Sequence, residues 1–142
     1  MTSPAARPSA TALNVLVVED HLLHQTHILN ILHQLGCVST FCVNGVQALQ
    51  QIQKFGFDAI IMDMQMPVMD GLEATRIIRS LHPAKADTLI IGLTSDRDDE
   101  ARRQALEAGI DEFISKPVDT GRLKAALERQ RAHAALRRQP LV

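Results

Sequence analysis

The sequence is poor in several features that would point to particular classes of protein. It contains no tryptophan, no tyrosine and only two cysteines among 142 residues, and its formal net charge is −1. Such a balanced charge argues against a dedicated nucleic-acid-binding protein, which would carry a strong basic excess. No apolar run approaches the ~20 residues that a membrane-spanning helix needs. We therefore expect neither a nucleic-acid nor a membrane partner.

The scarce cysteines and the chain ends also limit the interpretation. Cys37 and Cys42 are expected to be free, buried and apolar thiols in a reducing cytoplasm, without a disulfide. Residues 1–13 are expected to form a disordered lead, since they are rich in Ser, Pro, Ala and Thr and lack the apolar segment of a secretory signal. Residues 129–142 are expected to form a basic helix end and tail, with binding to an acidic partner or an anionic surface as the alternative.

What the sequence does contain is enough for one domain over residues 14–128. Its hydrophobic content of 46% suffices for a core without disulfide or metal support. Short β-rich runs alternate with helical patterns throughout this range. The predicted strands are Val15–Val18, Val38–Val43, Ala59–Met62, Leu89–Leu93 and Glu112–Ile114.

Helical patterns fill the segments between these strands. The first has apolar residues at helical spacing and ends at Gly36, and the second begins at the turn pair Asn44-Gly45. Val46, Leu49 and Ile52 are predicted to be the inward stripe of the second helix. The third helix is marked by Leu72, Ile77 and Ile78, and the fourth opens at Asp98, Asp99 and Glu100. The fifth begins near Asp119 or Thr120 and turns Leu123, Ala126 and Leu127 inward.

Five βα units specify an α/β fold, because parallel neighbours need crossover connections. Right-handed crossovers favour a doubly wound, flavodoxin-like (βα)5 sheet with strand order 2-1-3-4-5. In that order the ligand crevice lies at the carboxyl ends of the first and third strands. The ionisable and hydroxyl residues that follow the strands would gather there: Glu19, Asp20, Asp63, Thr94 and Lys116.

These residue types indicate phosphoryl chemistry. Carboxylates pressed together repel unless a cation joins them, and oxygen ligands suit a hard ion such as Mg²⁺. Lys116 adds a charge that can pair with a carboxylate or a phosphoryl oxygen, and Thr94 adds a hydroxyl donor. A carboxylate nucleophile, a divalent ion and a lysine are the components of phosphoryl transfer to an aspartate.

Four ordered motifs resemble the receiver domain of response regulators in two-component and phosphorelay signalling. They are VVED (17–20), MDMQMPVMDG (62–71), LTS (93–95) and FISKP (113–117). The resemblance extends from about Asn14 to Leu127, and residues 62–71 are particularly similar to receivers of hybrid histidine kinases. It implies that Asp63 accepts a phosphoryl group from a sensor histidine kinase or a histidine phosphotransfer protein.

The resemblance also implies a role for each site residue. Asp20, Asp63 and the backbone carbonyl of Gln65 would ligate Mg²⁺, or Mn²⁺ in its place, and Glu19 would do so directly or through water. Lys116 would hold a phosphoryl oxygen, next to a cis peptide bond at Pro117. Thr94 and Phe113 would form the switch pair, in which Phe113 turns inward behind Thr94.

Two residues depart from the commoner family pattern, and two more occupy positions that vary within it. Glu19 stands where many members have Asp, which adds a methylene group. Phe113 replaces the commoner tyrosine and lacks its hydroxyl, so packing alone would bias the switch. Gln65 and Asp96 occupy the positions that tune dephosphorylation in this family; Asp96 would either orient a water molecule or repel phosphate.

Other interpretations of the same residues stay open. Magnesium phosphohydrolases of the haloacid-dehalogenase type also form an aspartyl phosphate. They require a second Asp two residues after the nucleophile, where this chain has Gln65. A receiver-like adaptor that binds without phosphorylation is another alternative. His21, His24 and His27 recur every three residues; they either form a metal face or touch a partner beside the site.

The sequence thus predicts a stand-alone, cytoplasmic receiver that is not an enzyme beyond its own phosphorylation and dephosphorylation. It would signal through phosphorylation-dependent contacts with a downstream protein or by passing the phosphoryl group onward. It would be a monomer or a phosphorylation-dependent dimer.

Overall fold

A computed structural model describes residues 12–65, 71–81, 88–95 and 99–137 of the chain. Within them a five-stranded parallel sheet has the order β2-β1-β3-β4-β5, which confirms the predicted topology. The strands are β1 Asn14–Val18, β2 Val38–Cys42, β3 Ala59–Asp63, β4 Leu89–Thr94 and β5 Glu112–Ser115. The helices are α1 Leu22–Gln34, α2 Gly45–Lys54, α3 Gly71–Ser80, α4 Asp99–Ala108 and α5 Thr120–Arg137.

Helices cover both faces of the sheet, and each face has its own core. Alternate residues of the central strands enter opposite cores, so that Val17 and Ile61 pack with α1 and α5 while Leu16 and Ile60 pack with α2 and α3. All four of these side chains are fully buried. Strands buried on both faces explain the continuous apolar runs of β1 and β3.

The helix boundaries follow local sequence signals. The Asn44 side chain accepts a hydrogen bond of 2.8 Å from the backbone N–H of Gln47 and caps α2. Gly36, just after α1, has φ of +74°, a conformation that glycine adopts without strain. The α5 helix begins at Thr120, and its predicted inward residues Leu123, Ala126 and Leu127 are buried.

The predicted inward stripe of α2 is wrong at one position. Val46 is 38% exposed, while Gly45, Ala48 and Ile52 face the sheet and Leu49 is half-buried. Small residues let this helix pack closely, and the periodic pattern could not rank Ala48 above a larger apolar neighbour.

Arg79 on α3 ties three segments together at the amino-terminal end of β4. Its guanidinium donates to the carbonyls of Gly109 at 2.8 and 2.9 Å and of Thr88 at 2.6 Å, and to Asp111 Oδ2 at 2.6 Å. The same Asp111 oxygen accepts the backbone N–H of Ile90 at 2.8 Å. This network fixes β4 relative to α3 and the turn before β5.

The cysteines are free thiols in the structure. Cys42 is buried and Cys37 is half-buried, so the expectation of a buried, apolar thiol fits Cys42 better. Burial raises the pKa of Cys42 to about 12. In the described part of the chain, no helix has the length and apolar character needed to cross a membrane.

Candidate functional site

The predicted site residues lie at the carboxyl ends of four strands. Asp63 is the last residue of β3 and Thr94 the last of β4. Glu19 and Asp20 follow β1, and Lys116 follows β5. Because the strands are parallel and adjacent in the order β1-β3-β4-β5, these ends share one edge of the sheet.

An acidic cluster forms the centre of this edge. One carboxylate oxygen from each of Glu19, Asp20 and Asp63 lies within 4.8 Å of the others. Glu19 and Asp63 are buried, with 0% and 1% exposure, whereas Asp20 is exposed. The cluster therefore has two acids held in the protein and one acid on its solvent side.

Glu19 is held in place from several directions. Its Oε1 accepts the backbone N–H of His21 at 3.1 Å and lies 3.6 Å from His24 Nδ1. The Gln25 side chain donates to the Glu19 carbonyl at 3.2 Å. Burial raises the pKa of Glu19, and the negative charge of Asp63 raises it further; the contacts with His21, Lys116 and His24 oppose this rise without reversing it.

Lys116 provides the positive charge of the site. Its Nζ lies 3.0 Å from Asp63 Oδ1 and 3.4 Å from Glu19 Oε2, and its side chain is 15% exposed. The Lys116–Pro117 peptide bond is cis, the isomer that the family resemblance implied. One ammonium group thus contacts two carboxylates that would otherwise repel each other.

Asp63 is oriented by backbone as well as by Lys116. Its Oδ1 accepts the N–H of Gln65 at 3.0 Å. The Gln65 side chain in turn accepts a hydrogen bond of 3.2 Å from Ser95 Oγ, which links the segments after β3 and β4. With Oδ1 engaged twice by described residues, the second oxygen of Asp63 is the one that these contacts leave to a reacting group.

The donor set fits a hard divalent cation. Glu19 Oε2 is buried and accepts no hydrogen bond from the described residues; its contact with Lys116 is a charge contact only. A buried carboxylate oxygen in this situation is costly unless a cation completes its coordination. Carboxylate oxygens with an open, water-accessible side at Asp20 are the ligands that Mg²⁺ prefers.

Thr94 and Phe113 line the same cavity, which has a volume of about 160 Å³. The cavity is also bordered by Met64 and by Arg102, whose guanidinium carbon lies 5.6 Å from the centre of the Phe113 ring. Gly92 makes this packing possible, because a Cβ there would lie 3.1 Å from Phe113 Cε1. The half-buried Phe113 therefore borders a cavity that Thr94 also lines.

The histidine repeat does not assemble a separate metal site. The rings of His21 and His24 stack with centroids 4.3 Å apart, while His27 Nε2 lies 3.3 Å from the Val118 carbonyl. Among the described residues, the one grouping of three possible metal ligands is the acidic cluster itself. His24 is exposed, and its contact with Glu19 makes it a neighbour of the acidic site.

The sequence placed His24 beside the site but not in contact with Glu19, and it gave no role to Gln25. Gln25 and His24 support Glu19; their position one turn into the helix after β1 was the available signal. Residues 66–70 of the motif, Asp96 and Asp98 lie outside the described residues, as do residues 1–11 of the expected lead and 138–142 of the expected tail.

Comparisons with known proteins agree with this geometry. A family model described as the response regulator receiver domain matches residues 15–128. Two-component response regulator 24 from Arabidopsis thaliana is 31% identical over 118 residues, covering 82% of this chain and 83% of that protein. Hybrid signal transduction histidine kinase G from Dictyostelium discoideum is 34% identical over 123 residues, covering 85% of this chain but only 4% of that protein.

A solved structure is similar over nearly the same range. The receiver domain of a sensor histidine kinase from Pseudomonas aeruginosa has a TM-score of 0.78 and 34% identity, covering 85% of this chain and 98% of that one. That structure holds a magnesium ion in its active-site cleft. The sheet order, the acidic cluster and the sequence similarity therefore all indicate the same kind of domain.

Proposed function

Because the chain belongs to the response regulator receiver domain family, the phosphoacceptors of two-component signalling, we propose that it accepts a phosphoryl group on Asp63 in a Mg²⁺-dependent reaction. The observation that carries this proposal is the convergence of two buried carboxylates, one exposed carboxylate and one lysine at a single sheet edge. The finer assignments below are proposals that extend this family membership.

Asp63 acts as the nucleophile. Lys116 and the Gln65 N–H hold Oδ1, so the second carboxylate oxygen attacks the phosphorus of a phosphohistidine. A new P–O bond forms as the P–N bond of the donor breaks, and the leaving imidazole of the donor takes up a proton. Positioning contributes most to such a transfer, because the dissociative transition state requires little covalent assistance.

Glu19, Asp20, Asp63 and the Gln65 carbonyl would hold the cation, with Mn²⁺ able to replace Mg²⁺. When bound, the ion supplies positive charge to the phosphoryl oxygens and offsets the repulsion among the carboxylates. Lys116, whose Nζ lies 3.0 Å from Asp63 Oδ1, would supply a second positive charge to a phosphoryl oxygen.

Thr94 and Phe113 transmit the reaction to the surface. The Thr94 hydroxyl moves to a phosphoryl oxygen, and the Phe113 ring occupies the cavity that both residues line. Because phenylalanine has no hydroxyl, the two positions of the ring differ only in packing and in the contact with Arg102. The output face is then formed by α4, β5 and α5.

The test uses a small phosphodonor and the intact protein. Acetyl phosphate with Mg²⁺ should add one phosphoryl group to the intact mass of the parent, and Asp63→Asn should abolish the addition. Asp99→Asn, an exposed acid at the start of α4, is the matched control and should remain phosphorylated. Phosphorylation of the Asp63→Asn variant would contradict the assignment of the site.

The metal dependence needs its own comparison. Removal of divalent ions with a chelator should stop the reaction, and Mg²⁺ or Mn²⁺ should each restore it. Asp20→Asn should weaken Mg²⁺ binding, measured by calorimetry, while the nucleophile stays in place. A rate unchanged by the chelator would contradict Mg²⁺ dependence.

Receiver domains take phosphoryl groups from histidine kinases or histidine phosphotransfer proteins, and we propose one of these as donor here. A panel of radiolabelled phosphohistidine proteins would identify it by transfer of label to Asp63. We further propose that the chain works in the cytoplasm as a receiver separate from its donor. The similarity over 83% of an Arabidopsis response regulator supports the separation from the donor.

The output of this receiver is proposed to be protein contact or onward transfer. Catalysis would be limited to its own phosphoryl group, and neither nucleic acid nor membrane would be bound. Capture of partners with and without beryllofluoride and Mg²⁺ would distinguish phosphorylation-dependent contacts from constitutive ones. Partners found equally under both conditions would contradict a phosphorylation-dependent output.

A further inference from the structure

The segment from His21 to Gln53 contains no Asp, Glu, Lys or Arg over 33 residues. The whole chain has 15 Lys and Arg and 16 Asp and Glu, so a segment of this length would ordinarily include several. The segment forms α1, β2 and most of α2, which together make the β2 edge of the sheet and its flanks. We call it the uncharged segment.

The uncharged segment also carries most of the exposed apolar side chains. Six of the eight large hydrophobic residues that are exposed in the described structure belong to it: Leu22, Leu23, Val38, Phe41, Val43 and Val46. Phe41 on the edge strand is 53% exposed. Interface centres are depleted of charge and enriched in aromatic residues, so this combination is typical of a protein contact surface.

Alternate residues of β2 direct their backbone N–H and C=O groups away from β1. Val38 N–H donates to Leu13 and the Cys42 carbonyl accepts from Glu19, both toward β1. Alternation along a parallel strand then turns the N–H and C=O groups of Ser39 and Phe41 away from β1, toward the sheet edge that no described strand covers. The next outward donor, Val43 N–H, is already bonded to Gln47 Oε1 at 3.0 Å.

We propose that β2 pairs with β2 of a second copy of this chain, antiparallel and about a two-fold axis at Thr40. In this register Ser39 of each copy faces Phe41 of the other, and the pairs exchange N–H and C=O bonds on both sides of the axis. All outward groups of Ser39 and Phe41 are then bonded. A shift of the axis to Phe41 would require Val43 N–H, which Gln47 occupies.

A second copy fits this edge because the surface matches itself. A two-fold contact places the same surface patch of both copies face to face, and the uncharged segment has no Asp, Glu, Lys or Arg that would meet a like charge there. Edge strands that avoid pairing usually carry lysine, proline or a bulge, and β2 has a continuous run of Val, Ser, Thr, Phe and Cys. The opposite edge, β5, has Glu112 in an ion pair with Arg129 at 2.7 Å.

This dimer would be independent of the phosphoryl state. The β1 strand separates β2 from β3, which carries Asp63, so the pairing does not involve the strand of the nucleophile. The proposal therefore stands apart from the phosphoacceptor function. Failure of one does not bear on the other, because phosphorylation is read by mass and association by sedimentation.

The first test is sedimentation equilibrium over a concentration series, without any phosphodonor. The parent should shift from the 15.7 kDa chain mass toward twice that mass as concentration rises. Ser39→Pro removes one outward N–H donor from each copy and leaves the hydrogen bonds between β2 and β1 intact. Phe41→Glu places a carboxylate from each copy in the proposed interface. Each should raise the dissociation constant by about tenfold or more.

The control is Leu106→Glu, an equally exposed apolar residue on α4, at 51%. It should leave the association unchanged. A parent that remains monomeric at every concentration would overturn the proposal, as would a dimer lost in Leu106→Glu and retained in Phe41→Glu. Circular dichroism shows whether each variant is folded. If Ser39→Pro is unfolded, the association of Phe41→Glu alone tests the proposed dimer.

The second test identifies the register. With Cys37 and Cys42 replaced by serine and alanine, Thr40→Cys would face its own copy across the axis, at a Cα separation of about 4.5 Å that a disulfide can bridge. Mild oxidation should give a covalent dimer on a non-reducing gel. Gln50→Cys on exposed α2 should not, and equal cross-linking of both variants would refute the register.

Discussion

Replacement of Lys116 with methionine should destabilise the protein mainly when Mg²⁺ is absent. Lys116 Nζ contacts Asp63 Oδ1 at 3.0 Å and Glu19 Oε2 at 3.4 Å, and both carboxylates are buried. Methionine retains most of the apolar stem but removes the charge. The variant then has two buried carboxylates facing each other without an ammonium group between them.

The magnitude follows from the burial on each side of the pair. Loss of one partner from a buried ion pair costs about 3–5 kcal/mol. Solvent reaches this site through the exposed Asp20, and Lys116 itself is 15% exposed, so we expect about 2 kcal/mol. For a chain of this size that corresponds to a fall in Tm of about 4–8 °C.

Mg²⁺ should reduce the difference in the free energy of unfolding between the variant and the parent. A ligand at a hundred times its Kd stabilises the folded state by about 2.7 kcal/mol. Without the competing ammonium group, the three carboxylates should bind the cation more tightly in the variant. We therefore expect the two proteins to differ by less than about 1 kcal/mol at saturating Mg²⁺.

The free energy of unfolding of both proteins can be measured by urea unfolding followed by circular dichroism. Circular dichroism is used because the chain has neither tryptophan nor tyrosine for fluorescence. The matched control is Lys124→Met on exposed α5, which should change stability by less than about 0.5 kcal/mol. A Lys116→Met variant as stable as the parent in a chelator would refute the reasoning. So would a loss of the same size with and without Mg²⁺.

Three further predictions concern the network, the cavity and the pH dependence. Arg79→Lys cannot bridge Gly109, Thr88 and Asp111 at once and should lower the free energy of unfolding by about 2 kcal/mol in urea; no change would show that the network is dispensable. Gly92→Ala should cost about 1–3 kcal/mol by crowding the Phe113 ring, and unaltered stability would show that the ring moves away freely. Because the pKa of Glu19 is raised in the folded state, its contribution to stability is present below its unfolded pKa and is lost as pH rises through the folded value. Glu19→Gln should therefore gain stability relative to the parent as the pH of a Mg²⁺-free buffer is raised from about 5 to 8, and a constant difference would contradict the shift.

The strand ends were predictable because apolar runs and polar residues alternate clearly in this chain. The predicted strand Ala59–Met62 ended one residue early, and β4 likewise includes Thr94. Parallel pairing continues through Asp63 opposite Leu93, so the site residues belong to the rigid sheet. The topology followed from the βα alternation, and the site then followed from the topology.

Contacts between distant segments were not predictable. Arg79 reaches Gly109 across 30 positions of the chain, and no local pattern marks either residue. The inward face of α2 depends on how closely the helix packs, which the sequence alone does not specify. The support of Glu19 by Gln25 likewise depends on where α1 begins relative to β1.

The uncharged segment also affects how fast partners arrive. Association without electrostatic steering proceeds at about 10⁵–10⁶ M⁻¹s⁻¹, whereas complementary charge raises it to about 10⁸–10⁹ M⁻¹s⁻¹ at low salt. A protein that meets the domain over α1, β2 and the part of α2 that ends at Gln53 encounters no Asp, Glu, Lys or Arg on those elements. The association rate on that side should be set by diffusion and shape and should change little with ionic strength. The association rate over the acidic cluster should depend on salt.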